Sequence, residues 1–224
     1  MICAIGDVHG EFDKLHVVIQ KIEAAGFDFK KDTLIQIGDV VDGGKNTEGC
    51  INYLMSLQEQ HPDHVIVLMG NHEHMMIDAI VNNSRVYGSF DQWYKQGGKA
   101  TARSYGADKY TLPLISQDHI NWMMNLPLTH ETKSFIFVHA GLWDSDDVND
   151  TPDFEKLWLR NKFIDSSFPW KKTIVYGHTV NDNGPRIRPH SIGIDTMHHG
   201  YGWITAALLD DDVGDVIQFI QSND

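Results

Sequence analysis

Residues 65–78 read VIVLMGNHEHMMID, and this stretch decides the fold. Its first five residues form a short, continuous and partly β-branched apolar run, which predicts a buried strand. Gly70 permits a sharp exit from that strand, and a helical pattern begins at Asn71. We therefore expect Asn71 and His72 side by side at the C-terminal end of a strand, where open α/β sheets bind their ligands.

The same pattern, an apolar run followed by glycine and polar side chains, occurs four more times. The segments that follow these runs read GDVHG at 6–10, GDVVDGG at 38–44, HAG at 139–141 and GH at 177–178. Two helical patterns separate the first three apolar runs, which predicts a βαβαβ arrangement with a parallel sheet. Residues from about 82 to 130 break the alternation. They predict a mostly helical insert within a single domain that spans residues 1–224.

Composition narrows the class of protein. The chain has 224 residues, of which 18 are basic and 31 acidic, for a net charge of -13. This balance disfavours stable nucleic-acid binding, which needs a basic surface to neutralise phosphates. No apolar run approaches the length of a membrane span, and no basic segment suited to a signal peptide precedes Asp7. Cys3 and Cys50 lie in a predicted strand and a predicted helix, as buried thiols rather than a disulfide. We expect a soluble cytoplasmic protein, in the host cytoplasm if a phage encodes it.

The polar residues at the predicted strand ends are ligand types for divalent metals. Carboxylate, amide and imidazole donors without cysteine suit Mn²⁺, Fe²⁺ or Zn²⁺. A single catalytic zinc takes about three protein ligands, so a set of six suits two adjacent metals that share a carboxylate. Such a pair can act as a clamp for in-line displacement at phosphorus, with a bridging hydroxide as the nucleophile. The six candidate ligands are Asp7, His9, Asp39, Asn71, His139 and His178.

His72 follows a candidate ligand but is not needed as one. Its imidazole could protonate the leaving alkoxide, and Asp42 could fix its tautomer and orientation. A zincin motif is excluded at this place, because that motif needs a second histidine where Met76 stands. Residues 38–45 resemble a phosphate-binding P-loop, but the spacing is one residue too long and carboxylates occupy the positions of the phosphate-binding amides.

Each strand-end motif has an ordinary interpretation when it is taken alone. Residues 7–9 read as a turn, and His139 reads as a core histidine. The joint occurrence of five such motifs favours the metal site. Two other histidines, His198 and His199, could border it. Five more are interpreted as surface residues, namely His16, His61, His64, His119 and His130.

These motifs resemble the PPP-type metallophosphoesterases of the calcineurin-like superfamily. Residues 26–32 (GFDFKKD) and 71–78 (NHEHMMID) are most similar to the bacterial and phage branch, the lambda-type serine/threonine protein phosphatases. The resemblance implies an α/β fold in which a central β-sandwich is flanked by helices and carries the metals at its strand ends. It covers nearly the whole chain.

The resemblance also implies roles by position. Asp7 and His9 would bind one metal and Asp39 would bridge to a second, which Asn71, His139 and His178 would bind. Mn²⁺ is the expected ion, with Fe²⁺, Zn²⁺ or Ni²⁺ as alternatives. The acid would be His72, paired with Asp42. The substrate phosphate would contact Asn71 and Arg160, the latter in the segment LWLR at 157–160.

The chain departs from the family pattern at Gly43, which occupies the position of a phosphate-binding arginine. Met69 likewise stands where relatives often carry arginine. Removal of one charge-assisted hydrogen bond costs about 1.5–3 kcal/mol, or roughly ten- to a hundredfold in binding or rate. Lys45, Arg186 and Arg188 are candidates to take the place of the arginine.

The predicted function is that of a metal-dependent phosphomonoesterase, specifically a serine/threonine protein phosphatase. Its substrate would be a phosphoprotein or a small phosphoester. One alternative is a symmetrical dinucleoside polyphosphate hydrolase of the Ap4A type. The other is a metal-binding regulatory protein with weakened catalysis.

Overall fold

The computed structural model describes residues 1–82, 90–108, 114–198 and 201–223. Two five-stranded mixed sheets pack face to face, and helices cover their outer faces. This arrangement confirms the predicted α/β fold with a central β-sandwich flanked by helices.

The first sheet contains the predicted parallel core, and its strand order is β12-β11-β1-β2-β3. Strands β1, β2 and β3 run parallel, whereas β11 and β12 complete the sheet antiparallel. Helices α1 and α2 connect the parallel strands. The bounds are β1 Ile2–Ile5, α1 Phe12–Ala24, β2 Thr33–Gln36, α2 Thr47–Gln60, β3 Val65–Val67, β11 Thr205–Asp210 and β12 Asp215–Gln221.

The second sheet has the order β4-β5-β6-β8-β7, in which β5, β6 and β8 are parallel. A two-stranded hairpin of β9 and β10 lies apart from both sheets. The bounds are β4 Thr129–Glu131, β5 Phe135–Val138, β6 Thr173–Tyr176, β7 Arg186–Arg188, β8 Ser191–Gly193, β9 Met197–His198 and β10 Tyr201–Gly202. The sequence did not predict β4, β7, β9 or β10, which have two or three residues each and contain no apolar run like that of β3.

Alternating side chains explain why the central strands read as continuous apolar runs. Ile2 and Ala4 of β1 face the second sheet, and Phe135 and Phe137 of β5 face them from the other side. Cys3, which lies between Ile2 and Ala4, packs instead against the helices. Both faces of these strands are therefore buried, which removes the usual alternation of apolar and polar residues.

Short helices fill much of the described part of the predicted insert. Helix α3 (Asn71–Ile77) continues into a π-helical turn at Asp78–Asn82. After it come α4 (Phe90–Trp93), a kinked turn (Tyr94–Gly98) whose backbone is not helical at Gln96 and Gly97, α5 (Lys99–Ser104) and α6 (Gln117–Met124). Strand β4 begins at Thr129, inside the last residues of the predicted insert. Residues 83–89 and 109–113 of that segment lie outside the described residues.

Helix α7 (Asp153–Trp158) leads into α8 (Asn161–Ile164), and Phe163 and Ile164 of α8 pack on the outer face of the second sheet. Across the four described ranges, the helices are too short or too polar to span a membrane. Both cysteines are free and buried, as predicted.

One histidine prediction was wrong. His119 is buried rather than exposed, because its Nδ1 lies 2.6 Å from the Tyr105 hydroxyl and its Nε2 lies 3.1 Å from Asn52 Oδ1. A histidine side chain can either be buried with hydrogen-bond partners or be exposed to water, so the sequence alone does not tell which of these states His119 adopts. His199, which was expected near the site, lies outside the described residues.

Candidate active site

The strand ends of both sheets meet at one edge of the sandwich, as the motif pattern predicts. His139, which follows β5, reaches the first sheet with its Nδ1 2.9 Å from the carbonyl oxygen of Ile37. The backbone N–H of His178, which follows β6, donates to the carboxylate of Asp7 at 3.1 Å. A cleft of about 360 Å³, here called the inner cleft, opens at this edge. Predicted site residues lining it are His9, Asp39, Asn71, His72, Arg160 and His178.

One group of potential metal ligands contains His9, Asp39 and His72, whose donor atoms lie within 4.8 Å of one another. His9 Nε2 is 3.7 Å from Asp39 Oδ2 and 3.9 Å from Asp7 Oδ2, which brings both predicted carboxylates to the same ring nitrogen. The other ring nitrogen, Nδ1, lies 3.2 Å from the Val41 carbonyl oxygen. A carbonyl can only accept, so Nδ1 carries the proton and Nε2 keeps its lone pair for a metal.

The second group contains Asp39, His139 and His178, again within 4.8 Å. Asn71 Oδ1 completes it, at 2.8 Å from both His139 Nε2 and His178 Nδ1. Asp39 faces this group through Oδ1, 3.4 Å from His139 Nε2, and faces the first group through Oδ2. The two oxygens of one carboxylate thus point at two ligand groups, which is the geometry expected of a bridging ligand.

The electrostatics of the site follow from this crowding of buried groups. Burial and the neighbouring carboxylates of Asp195 and Asp39 raise the pKa of Asp7 well above its usual value. Burial also opposes ionisation of Asp39, but His139, His72 and His9 outweigh it and hold the pKa of Asp39 well below its usual value. The pKa of His178 falls to about 2, because its ring is buried and lies beside His139 and Arg160. His178 is therefore a neutral imidazole, which is the form that binds metals.

His72 and Asp42 form the predicted pair. His72 Nδ1 lies 2.9 Å from Asp42 Oδ2, and Asp42 is fully buried. Burial alone would lower the pKa of His72, but the carboxylates of Asp39 and Asp42 raise it to about 9. The imidazole is thus oriented by one carboxylate and keeps a proton to donate.

The described part of the insert from Phe90 to Met124 is called here the helical segment. Two of its residues hold Asp42 in place, and no sequence pattern pointed to them. The indole N–H of Trp93 donates to both carboxylate oxygens of Asp42, at 3.0 and 3.1 Å. The hydroxyl of Thr101 donates to Asp42 Oδ1 at 2.7 Å and accepts from the Asp42 backbone N–H at 2.9 Å. The helical segment therefore supports the His72–Asp42 pair directly and does not only cover one edge of the site.

Glu73 is a third residue, after Trp93 and Thr101, whose role the sequence did not reveal. It is fully buried, and its carboxylate accepts hydrogen bonds from the N–H groups of Asp39, Val40, Val41 and Gly70 at 2.8–3.0 Å. Burial and the charge of Asp39 raise its pKa to about 7. Glu73 thus shapes the loop that carries Asp39. A Cβ at Gly70 would collide with Asp39 itself, so this close approach requires glycine.

Unusual backbone conformations also occur at predicted site residues. In the described ranges, four residues other than glycine have positive φ angles between 47° and 68°. All four are predicted site residues, namely His9, Asp39, Asp42 and His178. Such conformations cost about 1–3 kcal/mol each and persist where the surrounding structure enforces them, as it often does at functional sites. The strand-end loops are therefore shaped for the side chains they carry.

Asp195 also lines the inner cleft and is almost completely buried. It follows β8, so it too lies at a strand end, and its Oδ1 accepts from the backbone N–H of Met197 at 3.0 Å. The sequence signal was present, but Asp195 was interpreted only as the end of a strand.

A second cleft of about 500 Å³, here called the outer cleft, adjoins the first. Asn71, His72 and Arg160 line both clefts. The further residues of the outer cleft are Gly43, Lys95, Gln96, Gly97 and Trp158. Arg160 donates from Nη1 to the carbonyl oxygen of His178 at 3.2 Å, which anchors its guanidinium at the junction of the two clefts.

The three cations expected to substitute for an arginine at position 43 do not line either cleft. Lys45 lies in another cleft beside Gly10 and Phe12. Arg188 pairs with Asp165 at 3.7 Å, and Arg186 belongs to the edge strand β7. The lysine that lines the outer cleft together with Gly43 is Lys95, from the helical segment.

The donor set fits two divalent metals. It combines buried carboxylates, one amide oxygen and buried imidazoles, and Asp39 faces both groups. Residues suited to hold one ion are Asp7, His9 and Asp39, and those suited to hold the other are Asp39, Asn71, His139 and His178. Donors of these types bind Mn²⁺, Fe²⁺, Zn²⁺ and Ni²⁺ alike, so they do not select one ion.

The sandwich, its strand-end loops and the two potential metal groups define a metallophosphoesterase type of hydrolase. The family model described as "Calcineurin-like phosphoesterase" matches residues 1–212, and the chain belongs to this family.

Among curated relatives, the chain is 30% identical to a symmetrical bis(5'-nucleosyl)-tetraphosphatase of Glaesserella parasuis serovar 5, over 62% of this chain and 45% of the relative. It is 28% identical to the protein of the same name from Shigella dysenteriae serotype 1, over 82% of this chain and 58% of the relative. The chain thus spans about half the length of the curated relatives it matches.

Solved structures share the fold. A candidate diadenosine tetraphosphatase has a TM-score of 0.69 at 20% identity, covering 98% of this chain and 92% of that one. A protein serine/threonine phosphatase from Saccharomyces cerevisiae has a TM-score of 0.60 at 17% identity, covering 98% of this chain and 78% of that one. At these identities the likeness establishes the fold alone.

Proposed function

We propose that this metallophosphoesterase is a dinucleoside tetraphosphate hydrolase that uses two divalent metals. The observation that carries the proposal is the inner cleft itself. There Asp39 faces two groups of metal-type ligands, and the His72–Asp42 pair lies beside them. The curated relatives described above support a dinucleoside polyphosphate substrate. This substrate replaces the phosphoprotein as the leading candidate.

In the proposed hydrolysis, the residues of the inner cleft have separate roles. Bound at this site, two divalent cations would supply Lewis-acid activation and neutralise charge at phosphorus. Asn71 and Arg160 line both clefts and orient the phosphate. His72 donates the proton from Nε2 to the leaving oxygen, because its Nδ1 is engaged by Asp42. Burial of the pair excludes water and keeps that proton directed into the cleft.

A serine/threonine protein phosphatase remains the second candidate. The outer cleft favours it in one respect, because Gly43 has no side chain there and so leaves room for an extended substrate. The chemistry in the inner cleft would be the same for both substrates, so they differ only in what occupies the outer cleft. A regulatory protein without catalysis is disfavoured, since a short His72–Asp42 contact held by Trp93 and Thr101 has no role in simple metal binding.

The test is a comparison of three substrates with the purified full chain and Mn²⁺. We expect a higher kcat/KM for diadenosine tetraphosphate than for an aryl phosphate or any member of a phosphopeptide panel. Higher kcat/KM for a phosphopeptide would overturn the substrate assignment in favour of the protein phosphatase. No turnover of any of the three, despite bound Mn²⁺, would support the regulatory alternative.

A further inference from the structure

The outer cleft adjoins the site of chemistry on the side of His72. Of the residues suited to hold a metal, His9, Asp39, Asn71 and His178 line the inner cleft, and of these four Asn71 alone also lines the outer cleft. A reacting phosphorus in the inner cleft therefore leaves the rest of the substrate to extend past His72 into the outer cleft. Whatever lines the outer cleft contacts the groups next to the scissile phosphate.

The kinked turn Tyr94–Gly98 brings Lys95 to this cleft, and contacts of its backbone with the Asp42 loop hold it there. The backbone N–H of Gly43 points to the carbonyl oxygen of Gly97 at 3.4 Å. Gly97 has a φ of +119°, and a Cβ at this position would lie 2.9 Å from Asp42 Cβ. Just before the turn, Trp93 binds the Asp42 carboxylate. The position of Lys95 is thus tied to the catalytic pair.

The ammonium of Lys95 is available to a ligand. Within the described ranges, no hydrogen bond or ion pair engages it, whereas Lys133 and Lys171 each pair with an aspartate at 2.9–3.0 Å. The neighbouring Gly43 offers no side chain. On a chain with net charge -13, a polyanionic substrate is repelled at long range, so local cations decide whether it binds. Lys95 and Arg160 are two such cations in one cleft.

We propose that Lys95 binds the phosphate group next to the scissile phosphate and thereby favours polyphosphate substrates over phosphomonoesters. This inference rests on the proposed function and specifies how its substrate is selected. A monoester has no second phosphate for Lys95 to contact. A dinucleoside polyphosphate has one on the far side of the scissile bond, where the outer cleft begins. The ammonium suits this role because it is a compact point charge on a flexible stem.

The test compares Lys95→Ala with Lys99→Ala in the Mn²⁺-loaded full chain. Both lysines are exposed and belong to the same helical segment, but Lys99 does not line the outer cleft. We expect Lys95→Ala to lower kcat/KM for diadenosine tetraphosphate about tenfold, mainly through KM, and that for an aryl phosphate only about twofold. Lys99→Ala should change neither by more than about twofold, and Lys95→Arg should restore most of the loss. Equal losses for the two substrates, or for the two alanine variants, would overturn the assignment.

A binding measurement separates this inference from the proposed function. Inorganic tripolyphosphate, added as its Mn²⁺ complex, is titrated calorimetrically into each variant. We expect about five- to tenfold weaker binding to Lys95→Ala and unchanged binding to Lys99→Ala. Unchanged binding to Lys95→Ala would overturn the role of Lys95. Failure of the wild-type chain to hydrolyse diadenosine tetraphosphate, with the binding difference intact, would refute only the proposed function.

Discussion

The inner and outer clefts adjoin each other, yet different parts of the chain build them. The inner cleft is lined by residues of the strand-end motifs, which are buried and, at several positions, held in strained backbone conformations. The outer cleft shares Asn71, His72 and Arg160 with the inner one, and its further lining residues are Lys95, Gln96 and Gly97 of the helical segment, Gly43 and Trp158. The strand-end motifs thus supply the potential metal ligands and the His72–Asp42 pair, whereas the helical segment supports Asp42 and, in our proposal, contacts the substrate through Lys95.

The largest expected effect concerns the carboxylate that faces both metal groups. We expect Asp39→Asn to reduce turnover of every substrate by at least about a thousandfold, because it weakens both metal sites together. Metal analysis and steady-state kinetics measure the two losses. Asp211→Asn is the matched control, since Asp211 binds Thr132 and Ser134 away from the clefts. Wild-type metal content and turnover in Asp39→Asn would contradict the bridging role.

The next effect separates proton donation from metal binding within the inner cleft. We expect His72→Asn to lower kcat for alkyl phosphates, which have poor leaving groups, by about 10²–10⁴-fold, the usual range for loss of a general acid, with metal content nearly intact. The loss should shrink for phosphate esters with good leaving groups, because these need no protonation. A uniform loss across leaving groups would assign His72 to phosphate binding instead.

A third variant tests whether the helical segment supports the inner cleft. Thr101→Val removes one hydroxyl donor to the buried Asp42 carboxylate and leaves the side-chain volume almost unchanged. We expect a loss of about 1.5–3 kcal/mol in the free energy of unfolding, the usual value for a hydrogen bond to a charged group. A reduction of kcat by about three- to tenfold should follow, because His72 is then less firmly oriented. Chemical denaturation and kinetics measure these effects.

Ser104→Ala provides the control for Thr101→Val. Ser104 lies in the same helix and binds the Glu48 N–H rather than Asp42. Its removal should leave kcat within about twofold of wild type, as expected for a single partly exposed hydrogen bond. Similar losses of kcat in the two variants would mean that the segment acts through general stability and not through Asp42.

The smallest effect concerns Gly43 in the outer cleft. Its φ of +92° favours glycine, so Gly43→Ala and Gly43→Arg should both lose about 1–2 kcal/mol of stability. Because both variants carry the same backbone strain, comparing their KM values with each other cancels the effect of that strain. We expect KM for an aryl phosphate to be about two- to fivefold lower in Gly43→Arg than in Gly43→Ala, because only arginine adds a cation. Equal KM values would show that position 43 does not face the phosphate.

The sequence predicted the inner cleft far better than the outer one. Asp7, Asp39 and His139 each follow an apolar strand, and parallel strands bring their ends to one edge, so their convergence follows from local patterns. Trp93, Lys95 and Thr101 lie in short helices whose docking onto the Asp42 loop depends on long-range packing. No local periodicity encodes that docking. Glu73 belongs to one of the quoted motifs, but three of its four backbone partners lie in the loop at 39–41. Its role therefore depends on a contact between two loops that the sequence does not show.

The central claim is that Asp39 joins two metal ions at one site. Electron paramagnetic resonance of the Mn²⁺-loaded full chain tests it directly, because two Mn²⁺ ions that share a carboxylate couple magnetically. As Mn²⁺ is added, we expect the spectrum of a coupled pair to develop up to two ions per chain, and we expect Asp39→Asn to abolish the coupling. A spectrum of isolated Mn²⁺ at every ratio of metal to protein would contradict the claim.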